Sequence, residues 1–358
     1  VLGPYATNRS GIDWTLNISL SYATNDTLWS PAYAPIVKES FPSDKSAQWL
    51  RGDFHMHTVY SDGRYLPHQQ IANALSRDLD FIFFSEHNTD SGNSEIGNWI
   101  PANASELLIG RAIEVTTRHG HWQAIGLGRS QQVEWRYTNA SGDSGYADAA
   151  TQVHESGGLV SLNHPFQNCS RCDWTLDWEH HDAIEVWNGR YDPLDEVAVQ
   201  FWKTELVAGK RVTAIGGSDA HSPPEINGLP TTVVRAEGEK SQASVVEGVK
   251  RGRVYLVEGP GMDLQFGVSY NGKSGSKRAE IGEAVPKTAL DDSATASFSA
   301  TGFDGATACF VNEKGYFHNA SIGQQPIEQL VAGMQFVLVE VRNTSDILLG
   351  LTNPIYFT

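Results

Sequence analysis

Two histidines one residue apart, His55 and His57, stand in the segment Asp53-Phe54-His55-Met56-His57, and Ser61-Asp62-Gly63 follows at once. Alternate side chains of an extended chain fall on the same face, so both imidazoles can converge on one point. Neutral imidazole is the commonest protein metal ligand, and Asp62 supplies an anionic partner close by. Taken alone, a His-x-His pair says little. The same residue types recur downstream at Glu86-His87, Glu114, Gly120-His121, Asn163-His164-Pro165 and Ser218-Asp219-Ala220-His221. Several of these follow directly on an apolar run. Such a series of nitrogen and oxygen donors reads as a multinuclear metal centre built for hydrolysis.

The elements that must carry these donors show in the patterning. Short apolar runs occur at Gly52–His55, Phe81–Phe84, Leu107–Val115, Trp122–Leu127, Gly158–Leu162, Ala183–Trp187, Val212–Ile215 and Val254–Val257. Helix-like stretches lie between several of them, at Pro67–Arg77, Ala147–Glu155, Pro193–Val207 and Ser241–Lys250. Strands apolar on both faces and alternating with helices predict an α/β fold with a parallel sheet or a (β/α) barrel. In such folds the functional side chains sit just past the C-terminal ends of strands. His55, His57, His87, Glu114, His164, Asp219 and His221 fall there. Residues 1–50 are polar and proline-rich and predict a β arm, expected to pack on the C-terminal part. Residues 51–258 form the expected catalytic domain. Residues 259–358, rich in Gly, Ser, Thr and Ala, predict a smaller antiparallel β-sandwich-like domain.

Composition narrows the function. The 358 residues carry a net charge of −16, without the stripes of Lys and Arg that a nucleic-acid scaffold needs. An acidic enzyme can still act on phosphates where metal ions make the site locally positive. No run reaches the ~18 apolar residues of a membrane span. Val1 opens the chain, which raises the expectation of a leader segment removed or left out. Eight Asn-x-Ser/Thr sequons, at Asn8, Asn17, Asn25, Asn103, Asn139, Asn168, Asn319 and Asn343, favour a secreted glycoprotein with N-glycans at some of them. Cys169 and Cys172 form a Cys-x-x-Cys with no second pair to complete a zinc site, so a short-loop disulfide is expected, with Cys309 a buried free thiol.

The blocks "RGDFHMHTVYSDG", "FIFFSEHNT", "IGRAIEVTTRHGHWQAIGLG", "SLNHPF", "IEVWNG" and "GSDAHS" together resemble the PHP (polymerase and histidinol phosphatase) superfamily, in particular its carbaryl-hydrolase-like (CehA/McbA) branch. The resemblance spans roughly residues 50–262 and includes the later "VVEGVKRGRVYLVEGPG". It implies a distorted (β/α)7 barrel holding two or three divalent ions (Zn, Mn or Fe) that hydrolyses phosphoesters. By the same resemblance His55, His57, Glu114 and Asp219 hold one ion. Glu114 bridges to a second, bound also by His121 and His164. Asp62, His87 and His221 serve a third, or position substrate. Mixed imidazole and carboxylate ligation suits borderline first-row ions. Where the resembled block carries Asp before its histidine this chain has Glu86, a candidate partner for His87. His121 matches the Gly-His block, which leaves His119 as a neighbour.

Paired ions generate a hydroxide nucleophile from water near neutral pH, so no serine or cysteine nucleophile is needed. Glu114 and His221 are the expected catalytic side chains. Arg64 and Arg190 are candidates for gripping a phosphate with a bidentate fork, against the plainer reading of surface arginines. His68, His154, His318 and His180-His181 read as surface residues. Trp174, Trp178 and Trp187 either pack the rim or stack on a flat group of the substrate. The leading expectation is a secreted phosphodiesterase acting on a small or polymeric phosphoester, such as a sugar- or polyol-phosphate or a phospholipid-derived headgroup. A metal-dependent ester, carbamate or amide hydrolase is the alternative, and a non-catalytic metal-binding glycoprotein a second one.

Overall fold

The computed structural model describes residue 13 and residues 15–19, 40–43, 46–93, 106–137, 142–169, 172–272, 275–290 and 293–358. The sequons at Asn8, Asn25, Asn103 and Asn139 lie outside them, as does most of the N-terminal arm. Residues 15–19 carry no regular structure and are exposed.

The chain runs β1 (Ser40–Phe41), β2 (Ala47–Asp53), α1 (Pro67–Ser76), β3 (Phe81–Phe84), β4 (Leu108–Thr117) and β5 (Gly120–Ile125). It continues through α2 (Gly142–Glu155), β6 (Leu159–Asn163), β7 (Ala183–Asn188), α3 (Pro193–Val207) and β8 (Thr213–Gly217). Then follow β9 (Thr231–Glu237), β10 (Lys240–Ser241), α4 (Gln242–Lys250) and β11 (Val254–Val257). The helices start where local chemistry tells them to. Asp192 caps α3 by accepting from the backbone N–H groups of Leu194 and Asp195, and Pro193 takes the first helical position. Ser241 caps α4 in the same way through Ser244.

These elements give a mixed α/β fold that is mostly sheet. The main sheet passes in the order β9-β2-β3-β4-β5-β6-β7-β8. The pairs β2–β3, β3–β4, β6–β7 and β7–β8 are parallel, as the alternation with helices predicts. The sheet is mixed, where the patterning predicts a parallel sheet or a (β/α) barrel. Thr117 pairs with Gly120, so only two residues separate β4 from β5, and so short a connection can only form an antiparallel hairpin. Gly120 takes φ +115°, a left-handed value that this reversal needs. The strand β9, which the sequence patterning missed, runs antiparallel to β2.

Among the described residues no ladder joins β8 back to β9 or β2, so the barrel is not closed. The two edges nonetheless meet. The Thr232 hydroxyl donates to Gly216 O (2.7 Å) and accepts from Gly216 N (3.0 Å). A single bridge pairs Met56 with Ala220. Gly217 makes the approach possible, since a Cβ there would lie 2.3 Å from the Cβ of His55. Aromatic side chains from Phe54, Phe81, Trp122, Trp187 and Trp202 fill the core around these strands.

After residue 258 come β12 (Asp263–Gly272), β13 (Gly275–Glu280), β14 (Ala284–Val285), β15 (Thr295–Thr301) and β16 (Thr307–Asn312). They are followed by β17 (Gly315–Ser321), β18 (Ile327–Leu330), β19 (Phe336–Arg342), β20 (Leu348–Thr352) and β21 (Ile355–Phe357). A four-stranded sheet, β13-β12-β15-β18, is antiparallel throughout. Strand β20 pairs with β11, so the main sheet continues without a break into the C-terminal strands. A second core of Phe266, Phe298, Phe310 and Val339 packs this part. The short strand β1 pairs with β10, beside α4.

Candidate metal centre

The donors arrive from strand ends, as the alternation predicts. His55 and His57 follow β2, His87 follows β3, His164 follows β6, and Asp219 and His221 follow β8. Glu114 and His121 lie within β4 and β5, where Thr116 pairs with His121 and His121 with Asn163. His164 and Asp219 take φ +29° and +50°, values that L-residues adopt at some cost and that cluster at functional sites. The backbone fixes the relation of the two key segments, since His57 N donates to Ala220 O (3.0 Å) and Asp219 N to His55 O (2.9 Å).

Four buried ligand atoms define the centre. His55 Nε2 lies 3.3 Å from Glu114 Oε2 and 3.2 Å from Asp219 Oδ1. His57 Nε2 lies 3.2 and 3.1 Å from the same two oxygens. None of the four atoms has a hydrogen-bond partner. Buried polar atoms without partners are rare and call for an explanation. A tetrahedral ion with ligand distances of about 2.0–2.1 Å has ligand–ligand edges of roughly 3.3–3.4 Å, so these four donors fit one divalent ion. Mixed imidazole and carboxylate donors suit borderline first-row divalent ions.

The second oxygen of Glu114 serves a second position. His121 Nδ1 stands 3.1 Å and His164 Nε2 3.0 Å from Glu114 Oε1. One carboxylate thus faces two donor sets, as a bridging ligand must. At the mouth a third set gathers around Asp62 Oδ1, with His221 Nε2 at 3.2 Å, His87 Nε2 at 3.4 Å and His57 Nδ1 at 4.0 Å. All nine residues of the sequence-derived ligand set, His55, His57, Asp62, His87, Glu114, His121, His164, Asp219 and His221, are therefore drawn together.

Other expectations are redirected. Glu86 does not meet His87. Its carboxylate accepts from the Thr58 N–H (3.1 Å), the Thr58 hydroxyl and the Ser61 hydroxyl (2.5 Å), and so braces the turn that presents Asp62. His119 joins none of these donor sets, and its Nδ1 pairs with Thr175 Oγ1 at 3.1 Å. Arg64 and Arg190 are exposed. Arg64 N donates to His221 O (2.7 Å), which sets its backbone at the mouth. Trp187 and Trp174 are buried packing residues, while Trp178 stacks on Phe166.

One functional residue escaped the reading of single donors. Glu185, in the middle of β7 and buried, places Oε1 2.9 Å from His55 Nδ1, the nitrogen opposite the ligand atom. Its Oε2 accepts from His164 N (3.1 Å) and from the Asn188 amide (3.1 Å). A carboxylate behind a ligating histidine fixes its tautomer and orientation. The only sequence signal was a charged residue inside the apolar run Ala183–Trp187. Glu185→Gln is expected to weaken metal binding by about 10–100-fold, the usual cost of losing such a partner. Competition against a chromophoric chelator would measure it, and an unchanged affinity would remove Glu185 from this role.

Charge in the metal-free site is strongly coupled. Burial opposes a charged imidazole at His87, but the Glu114 charge and the hydrogen bond to Asp62 outweigh it and push His87 up to about 10. Burial likewise opposes charge at His221, and the hydrogen bond to Asp62 and the Asp219 charge raise it to about 9. Burial would raise Asp219 and Glu114, yet the facing histidines hold both well below the usual carboxylate range. Raised histidines stabilise the metal-free fold fully below the ordinary histidine pKa of ~6.5 and lose that contribution as pH climbs through about 9 to 10. An ion must displace these protons. Metal uptake near pH 7 is therefore expected to release protons and to tighten as pH rises toward 9. Calorimetry in buffers of different ionisation enthalpy reads the proton count, and a count of zero would contradict the scheme.

No protein-family model matches the chain, and no curated protein does. Among solved structures, the chain is similar to a two-domain protein from Bacteroides vulgatus containing a predicted PHP-like metal-dependent phosphoesterase. The identity is 20% and the TM-score 0.48, over 89% of this chain and 99% of that one. It is also similar to a protein named as a metal-dependent phosphoesterase from Bifidobacterium adolescentis, at 18% identity and a TM-score of 0.34, over 56% of this chain and 96% of that one. A third is an amidohydrolase from Chromobacterium violaceum with bound sulfate and no metal, at 14% identity and a TM-score of 0.33, over 56% and 96% of the two chains.

Proposed function

We propose that the chain is a PHP-like, metal-dependent phosphoesterase holding two or three divalent ions, with phosphodiesters as its preferred class of substrate. The observation that carries this reading is the set of four buried, unpartnered donor atoms of His55, His57, Glu114 and Asp219 at 3.1 to 3.3 Å, with Glu114 shared by His121 and His164. Divalent ions bound there would supply Lewis-acid activation of water and neutralise charge developing on a phosphoryl group.

The chain's own residues do the remainder. Glu114 holds both donor sets in one frame. His221 stands at the mouth, part-exposed and hydrogen-bonded to Asp62, where it can hand a proton to a leaving oxygen. Asp62 orients that imidazole and is itself open to solvent. Arg64 and Arg190, exposed, are assigned to gripping the far side of the phosphate. The exposed sequons Asn17, Asn168 and Asn319 and the Cys169–Cys172 disulfide support an extracellular, glycosylated protein.

The test is hydrolysis of a panel of phosphodiesters, phosphomonoesters, aryl esters, carbamates and amides by metal-replete and chelator-treated protein. The expected result is metal-dependent cleavage of diesters above monoesters. Cleavage of carbon esters or amides with intact phosphoesters would replace the reading with a carbon-centred hydrolase. An inert panel would leave a binding protein.

A further inference from the structure

The second donor set has a neighbour of a different kind. Cys172 is fully buried, and its Sγ lies 4.0 Å from His121 Nδ1. The ligand atoms of His121, His164 and Cys172 all lie within 4.8 Å of one another. His121 and His164 are themselves more than nine-tenths buried, and both face Glu114 Oε1. Two imidazoles and a sulfur thus gather at one position, and Glu114 Oε1 faces both imidazoles. That sulfur is bonded to Cys169, which is exposed. Thiolate, not a disulfide sulfur, is the metal ligand that cysteine offers.

We propose that Cys172 is a reducible fourth ligand of the second metal position, masked in the disulfide and released by reduction. This rests on the metal-centre reading above. The asymmetry of the pair sets the course of the exchange. A thiolate of a small dithiol attacks the exposed Cys169 sulfur, the Cys169–Cys172 bond breaks, and Cys172 leaves as a thiolate beside His121. The second thiol of the reductant then attacks the mixed disulfide on Cys169, releasing Cys169 as a thiolate that takes up a proton, and the dithiol departs as a cyclic disulfide. Two electrons pass from dithiol to protein. With the disulfide intact the position has three protein donors and stays open to water. With Cys172 free it has four and is closed, which is the difference between a catalytic and a structural site.

Cobalt(II) loading of the full chain tests this without reference to activity. A sulfur-to-cobalt charge-transfer absorption in the near ultraviolet is expected after dithiol treatment and desalting, and not before. Cys169→Ser should show the band without reductant. Cys172→Ser should never show it, yet should still take up cobalt. The second equivalent of cobalt should bind at least about tenfold more tightly in the reduced protein. If the reduced protein and Cys169→Ser both bind cobalt but show only the visible bands of nitrogen and oxygen ligation, the proposal fails while the metal centre stands. A band in reduced Cys172→Ser would assign the sulfur elsewhere and overturn it. Failure of both oxidised and reduced protein to bind cobalt would overturn the proposal and the metal-centre reading together.

Discussion

Glu114→Gln is expected to remove metal-dependent hydrolysis by at least about 10³-fold at saturating metal, the scale of losing an electrostatic anchor of a transition state. The reason is the sharing of one side chain. Glu114 Oε2 faces His55, His57 and His87, and Oε1 faces His121 and His164. An amide in place of the carboxylate takes the negative charge from two positions at once and turns one of the two faces into a donor. Metal content should fall with activity, which separates this outcome from simple loss of a proton-transfer group. The metal-free protein gives a second readout. Because the histidines hold Glu114 well below the usual range, its contribution to stability is present above the ordinary carboxylate pKa and vanishes as pH falls through the lower folded value. The melting-temperature gap between wild type and Glu114→Gln should therefore be widest near neutral pH and close in acid. Full activity with full metal content in the variant would dismiss Glu114 as the bridge.

Most of the candidate donors were legible in the sequence because they follow strands whose apolar runs announce them, while Glu114 and His121 sit inside β4 and β5. Strand ends of an α/β sheet converge by geometry, so a list of His, Asp and Glu placed after such runs is nearly a list of neighbours. The helices α1 to α4 were legible for a similar reason, since capping and periodicity act within a few residues. What stayed hidden depends on contacts distant in the chain. The role of Glu185 emerges only when β7 lies behind His55, 130 residues earlier. Glu86 was assigned to its sequence neighbour His87, whereas the packing of β3 beside β2 delivers it to Thr58 and Ser61. The antiparallel step in the sheet turns on the hairpin at Gly120, and the proximity of Cys172 to His121 on how the loop after β6 folds back. Local pattern sets each element. Its company is set by the whole fold.

The largest effect on folding is expected at Asp53→Ala, at a residue outside the candidate ligand set. Asp53 is fully buried at the end of β2. Its Oδ1 accepts from His55 N (3.1 Å) and Ser218 N (3.0 Å), and Oδ2 accepts from Gly228 N (2.8 Å). One carboxylate therefore ties together the His-x-His segment, the strand end that presents Asp219, and the turn leading into β9. Among the described residues no ladder joins the β8 end to β2 or β9, so Asp53 does there part of what ladder bonds do elsewhere. Burial raises its pKa, while the Ser218, Gly228 and His55 hydrogen bonds lower it, and burial prevails. The charge is thus costly to the fold and is tolerated for what it organises. Each buried N–H left without an acceptor costs about 1–3 kcal/mol, so alanine should cost roughly 3 kcal/mol or more. Asparagine should cost less, because its carbonyl can keep the His55 and Ser218 bonds, while its amide meets the Gly228 N–H as donor against donor. Denaturant unfolding of metal-free protein reads this order. Metal affinity should fall in the same order, since both ligand segments lose their common anchor. If Asp53→Ala unfolded at the wild-type midpoint, or if asparagine proved the worse of the two, the ladder-like role of Asp53 would be wrong.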